Sequence, residues 1–203
     1  MMVGPDLARI WRAQPLPPIL QPHTALLVID GDQLGAIDHI PPSYGLDVEE
    51  DRIAFAVRCD AAVDVLQKIV VACRSAGIMI VDSRSSDGRQ DADIRVMGDV
   101  SPDLRLVRSG ASFFASELGD QFLRNVGIDT LFVAGLHSDG AVASTVRDAA
   151  DRGYRTVVIA DACVATSEDL HDHSLSMLRL WYAHISVSVD LLAALAVAKP
   201  SAA

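Results

Sequence analysis

Apolar residues along the chain fall into two alternating patterns. Short β-branched runs occur at 25–30 (ALLVID), 78–83 (IMIVDS), 104–107 (LRLV), 130–135 (TLFVAG), 155–161 (RTVVIAD) and 185–189 (ISVSV). Most are apolar at consecutive positions, as strands buried on both faces of a sheet require. Between them lie longer stretches with three- and four-residue spacing. The longest spans 51–76, where Ile53, Val57, Ala61, Val65, Ile69 and Ala72 predict one apolar helical stripe, ended by Gly77. Segments 115–126, 140–152, 167–182 and 190–198 read as shorter helices. Strands alternating with helices predict a three-layer α/β/α sandwich built on a six-stranded, mainly parallel, Rossmann-like sheet. No internal repeat interrupts the pattern, and the long connections fall at 31–50 and 84–103, where loops of such length often cover a binding site.

Composition narrows the picture. At 203 residues, half of them hydrophobic, the chain fits one domain with a substantial core, preceded by an extension over 1–23. Seventeen Lys and Arg against twenty-seven Asp and Glu give a net charge of −10, which repels nucleic acid and anionic membrane surfaces. Three cysteines, at 59, 73 and 163 and without CxxC spacing, suggest neither a disulfide framework nor a zinc site. A reducing cytoplasm is expected. The first twenty residues carry Asp6, Arg9, Arg12 and three prolines in place of a targeting segment's apolar run. The apolar stretch at 191–198 is far short of the roughly 20 residues needed to cross a membrane. A soluble protein is expected, and the apolar helix at 190–198 predicts a homodimer or larger homo-oligomer.

In an open parallel sheet, ligands sit beyond the carboxyl ends of the strands. Those ends carry Asp30 after the first strand, Asp82, Ser83 and Arg84 in the second, Arg108 after the third, and Gly135 leading into Leu136-His137-Ser138-Asp139-Gly140-Ala141 after the fourth. The last segment opens a helix, whose first N–H groups suit an anion or oxyanion. No GxGxxG follows the first strand and no GK[ST] occurs, so a nucleotide cofactor is not expected.

These motifs resemble those of the isochorismatase-like hydrolases, which include the cysteine amidohydrolases, over about residues 24–197. ALLVID, ending in Asp30, is similar to the family's first strand and catalytic aspartate. VRSGASFFASEL at 107–118 resembles the segment that normally begins with a catalytic lysine, here Arg108 and one residue shorter. The stretch 127–162 is the most specific match, and in the amidohydrolases it carries the nucleophilic cysteine where this chain has Ala141. The resemblance implies that a thioester route is closed at Ala141. It also implies that isochorismatases proper, with glycine there, hydrolyse a vinyl ether using the aspartate as acid. Against that subclass, GDQLGAI lacks the usual aromatic residue after the first strand, and Leu136 and His137 replace a tyrosine-bearing turn.

Three readings of function remain open. One is a cofactor-independent hydrolase of a small acidic or amide-bearing metabolite, with water as nucleophile, Asp30 as acid or base, Arg108 as its charge partner, and the N–H groups at 140–141 receiving negative charge. His137 is the candidate for an added acid or base. A non-catalytic small-molecule-binding relative or dimerisation scaffold is the second, and a cysteine amidohydrolase whose nucleophile has been exchanged for alanine is the third, which Arg108 disfavours. Arg84, Gly140 and Ser138 are candidate substrate contacts. Their plainer readings are a solvated loop arginine for Arg84 and helix capping for Ser138 and Asp139. His171 and His173, two apart on a helix, point to different faces, so no metal is expected there. Cys163 reads as a buried small hydrophobe more readily than as a substitute nucleophile.

Overall fold

The computed structural model describes residues 16, 19, 22–33, 46–86 and 96–197. Most of the extension at 1–23 and the interiors of the two long connections lie outside the described residues. In chain order come β1 (Thr24–Ile29), α1 (Glu49–Ser75), β2 (Met79–Ser85), β3 (Leu104–Arg108), a 3-10 turn (Phe113–Ala115), α2 (Glu117–Asn125), β4 (Thr130–Leu136), α3 (Ala141–Asp151), β5 (Arg155–Val164), α4 (Glu168–Trp181), β6 (His184–Ser186) and α5 (Ser188–Val197). The six strands form one sheet in the order β3-β2-β1-β4-β5-β6. Every pairing is parallel, so the sheet is wholly rather than mainly so. Among the described residues no helix is long and apolar enough to cross a membrane.

Central strands are buried at every position, with Leu26, Leu27, Ile29, Leu131 and Phe132 in the core. β3, at the edge, alternates between buried and exposed residues, which explains its weaker sequence signal. β6 is shorter than the run at 185–189 predicted. Asp161 accepts hydrogen bonds from the Ser188 N–H (2.7 Å) and hydroxyl (2.5 Å), and this anchors the start of α5 where the strand was expected to continue.

The stripe predicted on α1 faces the wrong way. Phe55, Cys59, Ala62, Leu66, Ile69 and Cys73 are buried, whereas Ile53 and Val57 are 56% and 63% exposed. Of the predicted set, Ile69 alone is fully buried. The helix is apolar on more than one side, and residues two apart differ by about 200° around its axis, so spacing alone does not select the packed face.

Strand order reverses between β1 and β4, which opens a crevice at their carboxyl ends. The two backbones meet closely there. Gly135 has φ +133°, and a Cβ built on it would lie 2.0 Å from the Ile29 carbonyl oxygen. Next to it the β4–β5 register slips, Val133 facing Val158 and Gly135 facing Cys163. Gly135→Ala is therefore expected to destabilise the protein by more than about 2 kcal/mol in chemical denaturation. A loss below about 0.5 kcal/mol would show that the close approach is not required.

Candidate active site

Asp30 is the first residue beyond β1 and takes a left-handed backbone, φ 49°. Its N–H donates to the Ser83 carbonyl (2.8 Å), which fixes the chain at the end of β2. Its carboxylate reaches across that strand. Oδ1 accepts from the Ser85 N–H (2.8 Å) and Arg108 Nη1 (2.9 Å), and Oδ2 accepts from Arg108 Nη2 (2.5 Å). Arg108 Nε donates in turn to the Ala111 carbonyl (3.0 Å). Asp30 and Arg108 are 3% and 2% exposed, so this is a buried, fork-to-fork ion pair. All three donors address a carboxylate that only accepts, the form that suits a charge anchor or a base.

His137 occupies the corresponding place after β4 and is also left-handed, φ 59°. Because Ile29 pairs with Gly135 in the sheet, Asp30 and His137 leave adjacent strands at nearly the same level. Two non-glycine residues in this sparsely populated region, on the two strands that flank the crevice, mark a site where geometry is imposed on the chain. Burial pushes the His137 pKa below that of ordinary histidine, against the opposing pull of Asp139 and Asp30. Its Nδ1 lies 3.9 Å from Asp139 Oδ1. Burial thus favours a neutral imidazole, able to accept a proton, near enough to Asp30 to feel its charge.

The helix N-terminus is less open than its sequence suggests. The Gly140 and Val142 N–H groups both donate to the His137 carbonyl (2.9 and 3.0 Å). Of the pair 140–141, only the Ala141 N–H has no partner among the described residues. Ala141 opens α3 and is nearly buried, with a methyl group in place of a nucleophile.

Several other candidates take different places. Ser138 does not cap α3, whose N-cap is Gly140 without a side-chain bond. The buried Ser138 hydroxyl lies 2.9 Å from His171 Nδ1, and its carbonyl accepts from the Ser174 hydroxyl (2.6 Å), tying the turn to α4. Arg84 is not a solvated loop residue. It lies within β2, 4% exposed, because the strand continues to Ser85 and alternation puts Arg84 on the same side as Asp82. Asp82 Oδ2 accepts from both Arg84 Nε (3.0 Å) and Arg105 Nε (2.9 Å). His173 bonds the Asp169 carbonyl, so it and His171 serve separate partners. Among the described residues no group of three or more His, Cys, Asp or Glu is placed to hold a metal. Cys163 is buried, and desolvation pushes its thiol up to about 12, which leaves almost no thiolate near neutrality.

One residue of this edge went unnoticed in the sequence. Asp32, in the turn after β1, is 5% exposed, and among the described residues neither carboxylate oxygen has a hydrogen-bond partner. Burial first, and then the charge of Asp30, push its pKa up to about 6, with Arg84 opposing. The available signal was position alone, since an acid two residues past a strand end beside the switch point deserved the scrutiny given to Asp30.

A family model described as the isochorismatase domain matches residues 24–188. The chain belongs to the isochorismatase family. It is 33% identical over 81 residues to the isochorismatase family protein YecD of Escherichia coli O157:H7, a match that covers 39% of this chain and 43% of YecD. The chain thus spans less than half the length of that curated relative. In fold it is similar to the cysteine hydrolase from Pseudomonas syringae pv. phaseolicola 1448A, with TM-score 0.70 and 21% identity over 92% of this chain and 100% of that one. It is also similar to an isochorismatase from Pseudomonas putida KT2440, with TM-score 0.66 and 22% identity over 89% and 95%. The family is one of hydrolases, and the six-stranded parallel α/β fold of this isochorismatase-family chain matches that of its structural neighbours.

The raised pKa of Asp32 has a definite consequence for stability. The folded state holds this proton more tightly than the unfolded chain does. The contribution is therefore complete below the ordinary value of 3.8 and is lost as pH rises through about 6. Asp32→Asn should accordingly improve in stability relative to wild type between pH 4 and pH 8, by up to about 3 kcal/mol. Denaturant unfolding of both proteins at the two pH values measures the change. A constant difference would show that Asp32 is not perturbed.

Proposed function

We propose that this isochorismatase-family protein hydrolyses a small acidic or amide-bearing metabolite without a cysteine nucleophile, with water as the attacking group. The observation that carries this reading is the buried Asp30–Arg108 pair, kept intact at the crevice although the nucleophile position is Ala141. A relic would have little use for a desolvated, bidentate carboxylate at that place. Asp30 orients water and draws on its proton, while Arg108 fixes the carboxylate's direction through three hydrogen bonds to Asp30 and Ala111. His137 is the second proton-transfer group, and the Ala141 N–H receives negative charge as it develops. Arg84 and Ser138, both engaged by protein partners, support the crevice wall instead of gripping substrate, and Gly140 closes the turn.

A second reading is favoured by the same two replacements, Ala141 and Arg108, and makes the chain a non-catalytic binding relative. A panel of amides, carbamoyl compounds and vinyl ether acids separates the two. Native turnover is expected, and Asp30→Asn should lower kcat by about 10²–10⁴-fold. Ala141→Cys should give no gain. Activity confined to Ala141→Cys would identify a decayed amidohydrolase, and a panel inert to both proteins would favour the binding relative.

The proposal extends to assembly in the cytoplasm as a homo-oligomer. Leu191 and Leu195 of α5 are buried within the chain's own core, while Val189 and Val197 on the same helix are exposed. On α4, Leu180 and Trp181 are 62% and 77% exposed and Met177 is exposed beside them. Light scattering at micromolar concentration is expected to give a dimer or larger, and Trp181→Glu should shift it toward monomer. A monomeric native protein would contradict this.

A further inference from the structure

Two carboxylates at the end of β1 sit in opposite circumstances. Asp30 has every donor it needs, three of them within 2.9 Å. Asp32, two residues on, has none among the described residues, and both its oxygens are shut away from solvent. A buried carboxylate without a donor must take up a proton or acquire a partner, because an ion left bare in a low-dielectric setting is among the costliest groups a fold can hold. The turn that carries it is fixed, with Gln33 N–H donating to the Asp30 carbonyl (3.0 Å). The charges around it are Asp30 at the end of β1, Asp82 and Arg84 on β2, and, one step further away, Arg105 on Asp82 and Arg108 on Asp30. Arg105, Arg84 and Arg108 are each directed onto Asp82 or Asp30, and no described donor is directed onto Asp32.

We infer that Asp32 is the proton-carrying member of a carboxyl pair with Asp30, and that in the hydrolysis proposed above it supplies the proton the leaving group needs. The inference rests on that reading for its second half only. Environments that drive two neighbouring acids apart assign one as the anion and the other as the acid. Asp30, locked by Arg108, is the anion. Burial and that neighbouring anion push the Asp32 pKa up to about 6, so Asp32 holds its proton well above the ordinary carboxylate range. The Asp32 proton passes to the leaving-group atom as its bond to carbon breaks, water adds its hydroxyl to that carbon, and the water's other proton, drawn off by Asp30, is handed on to Asp32 and so restores it. No oxidant, metal or other co-reactant enters. Since both Asp32 oxygens are covered, the transfer occurs once bound substrate, or one water that it admits, bridges to the carboxyl group.

A carboxyl-¹³C aspartate-labelled full chain, titrated by NMR from pH 4 to pH 9, tests the pair without any substrate. Asp32 should titrate about two units above the exposed aspartates. Asp30→Asn, which removes the neighbouring like charge, should lower that midpoint by about one unit, and Arg84→Gln should raise it. Asp32 titrating with the exposed aspartates, or a midpoint indifferent to both substitutions, overturns the inference. Should Asp30→Asn not fold, Arg84→Gln carries the test with the opposite sign. On any amide, carbamoyl compound or vinyl ether acid that the native protein hydrolyses, Asp32→Asn should lower kcat at least tenfold at unchanged KM and remove the acid-dependent limb of the pH profile. Asp32→Glu should restore part of it. Native kcat and pH profile in Asp32→Asn overturn the catalytic half. The expected raised Asp32 midpoint together with no native turnover would instead tell against the hydrolase reading and leave the proton-holding pair standing.

Discussion

A bidentate ion pair between Asp30 and Arg108 spans the carboxyl edge of three strands, and the site takes its shape from it. Asp30 leaves β1, Arg108 ends β3, and the intervening β2 contributes the Ser85 N–H to the same carboxylate. Breaking such a pair on one side leaves a buried charge unanswered, which costs about 3–5 kcal/mol. That penalty holds the three strand ends in register and gives Asp30 one direction in the crevice. It also leaves Asp30 as a fixed negative charge, against which His137 and Asp32 are both set.

Backbone geometry serves the same end. The β1 and β4 backbones approach so closely that only glycine fits at 135, and each chain then turns through a left-handed residue, Asp30 on one side and His137 on the other. Such conformations cost about 1 kcal/mol or more for residues with a side chain, and the sheet repays that through strands buried on both faces. The two turns bring Asp30 and His137 to the sheet edge where the strand order reverses, and from there the Asp30 carboxylate reaches across β2 to Arg108. With Ala141 at the head of α3, no thiol stands there, so the proposed hydrolysis is one in which Asp30, Asp32 and His137 share the protons.

Much of this was legible in the sequence, and the rest was hidden for physical reasons. Consecutive apolar residues marked all four inner strands, because a sheet covered on both faces buries most positions of each. Asp30 and Arg108 could be singled out by their place at strand ends. The packed face of α1 could not, because Ile53 and Val57 continue an apolar pattern on a side that never meets the sheet. Arg84 read as a loop residue because two charged side chains, Asp82 and Arg84, interrupt the apolar run, whereas in three dimensions they neutralise each other within the strand. Ser138 and Asp139 had the composition of a helix cap, but Ser138 is claimed by His171 and Ser174 on α4. Asp32 was invisible for a different reason. Its character comes from what does not touch it, and a missing donor leaves no trace in residue order.

The most direct measurement of this account is a double-mutant cycle on Asp30 and Arg108, read by denaturant unfolding at neutral pH. Asp30→Asn and Arg108→Gln should each cost about 3–5 kcal/mol, and the double variant should cost little more than either, giving a coupling above about 2 kcal/mol. Losses that simply add would mean that the two side chains act independently, and the pair would not be the feature that organises the site.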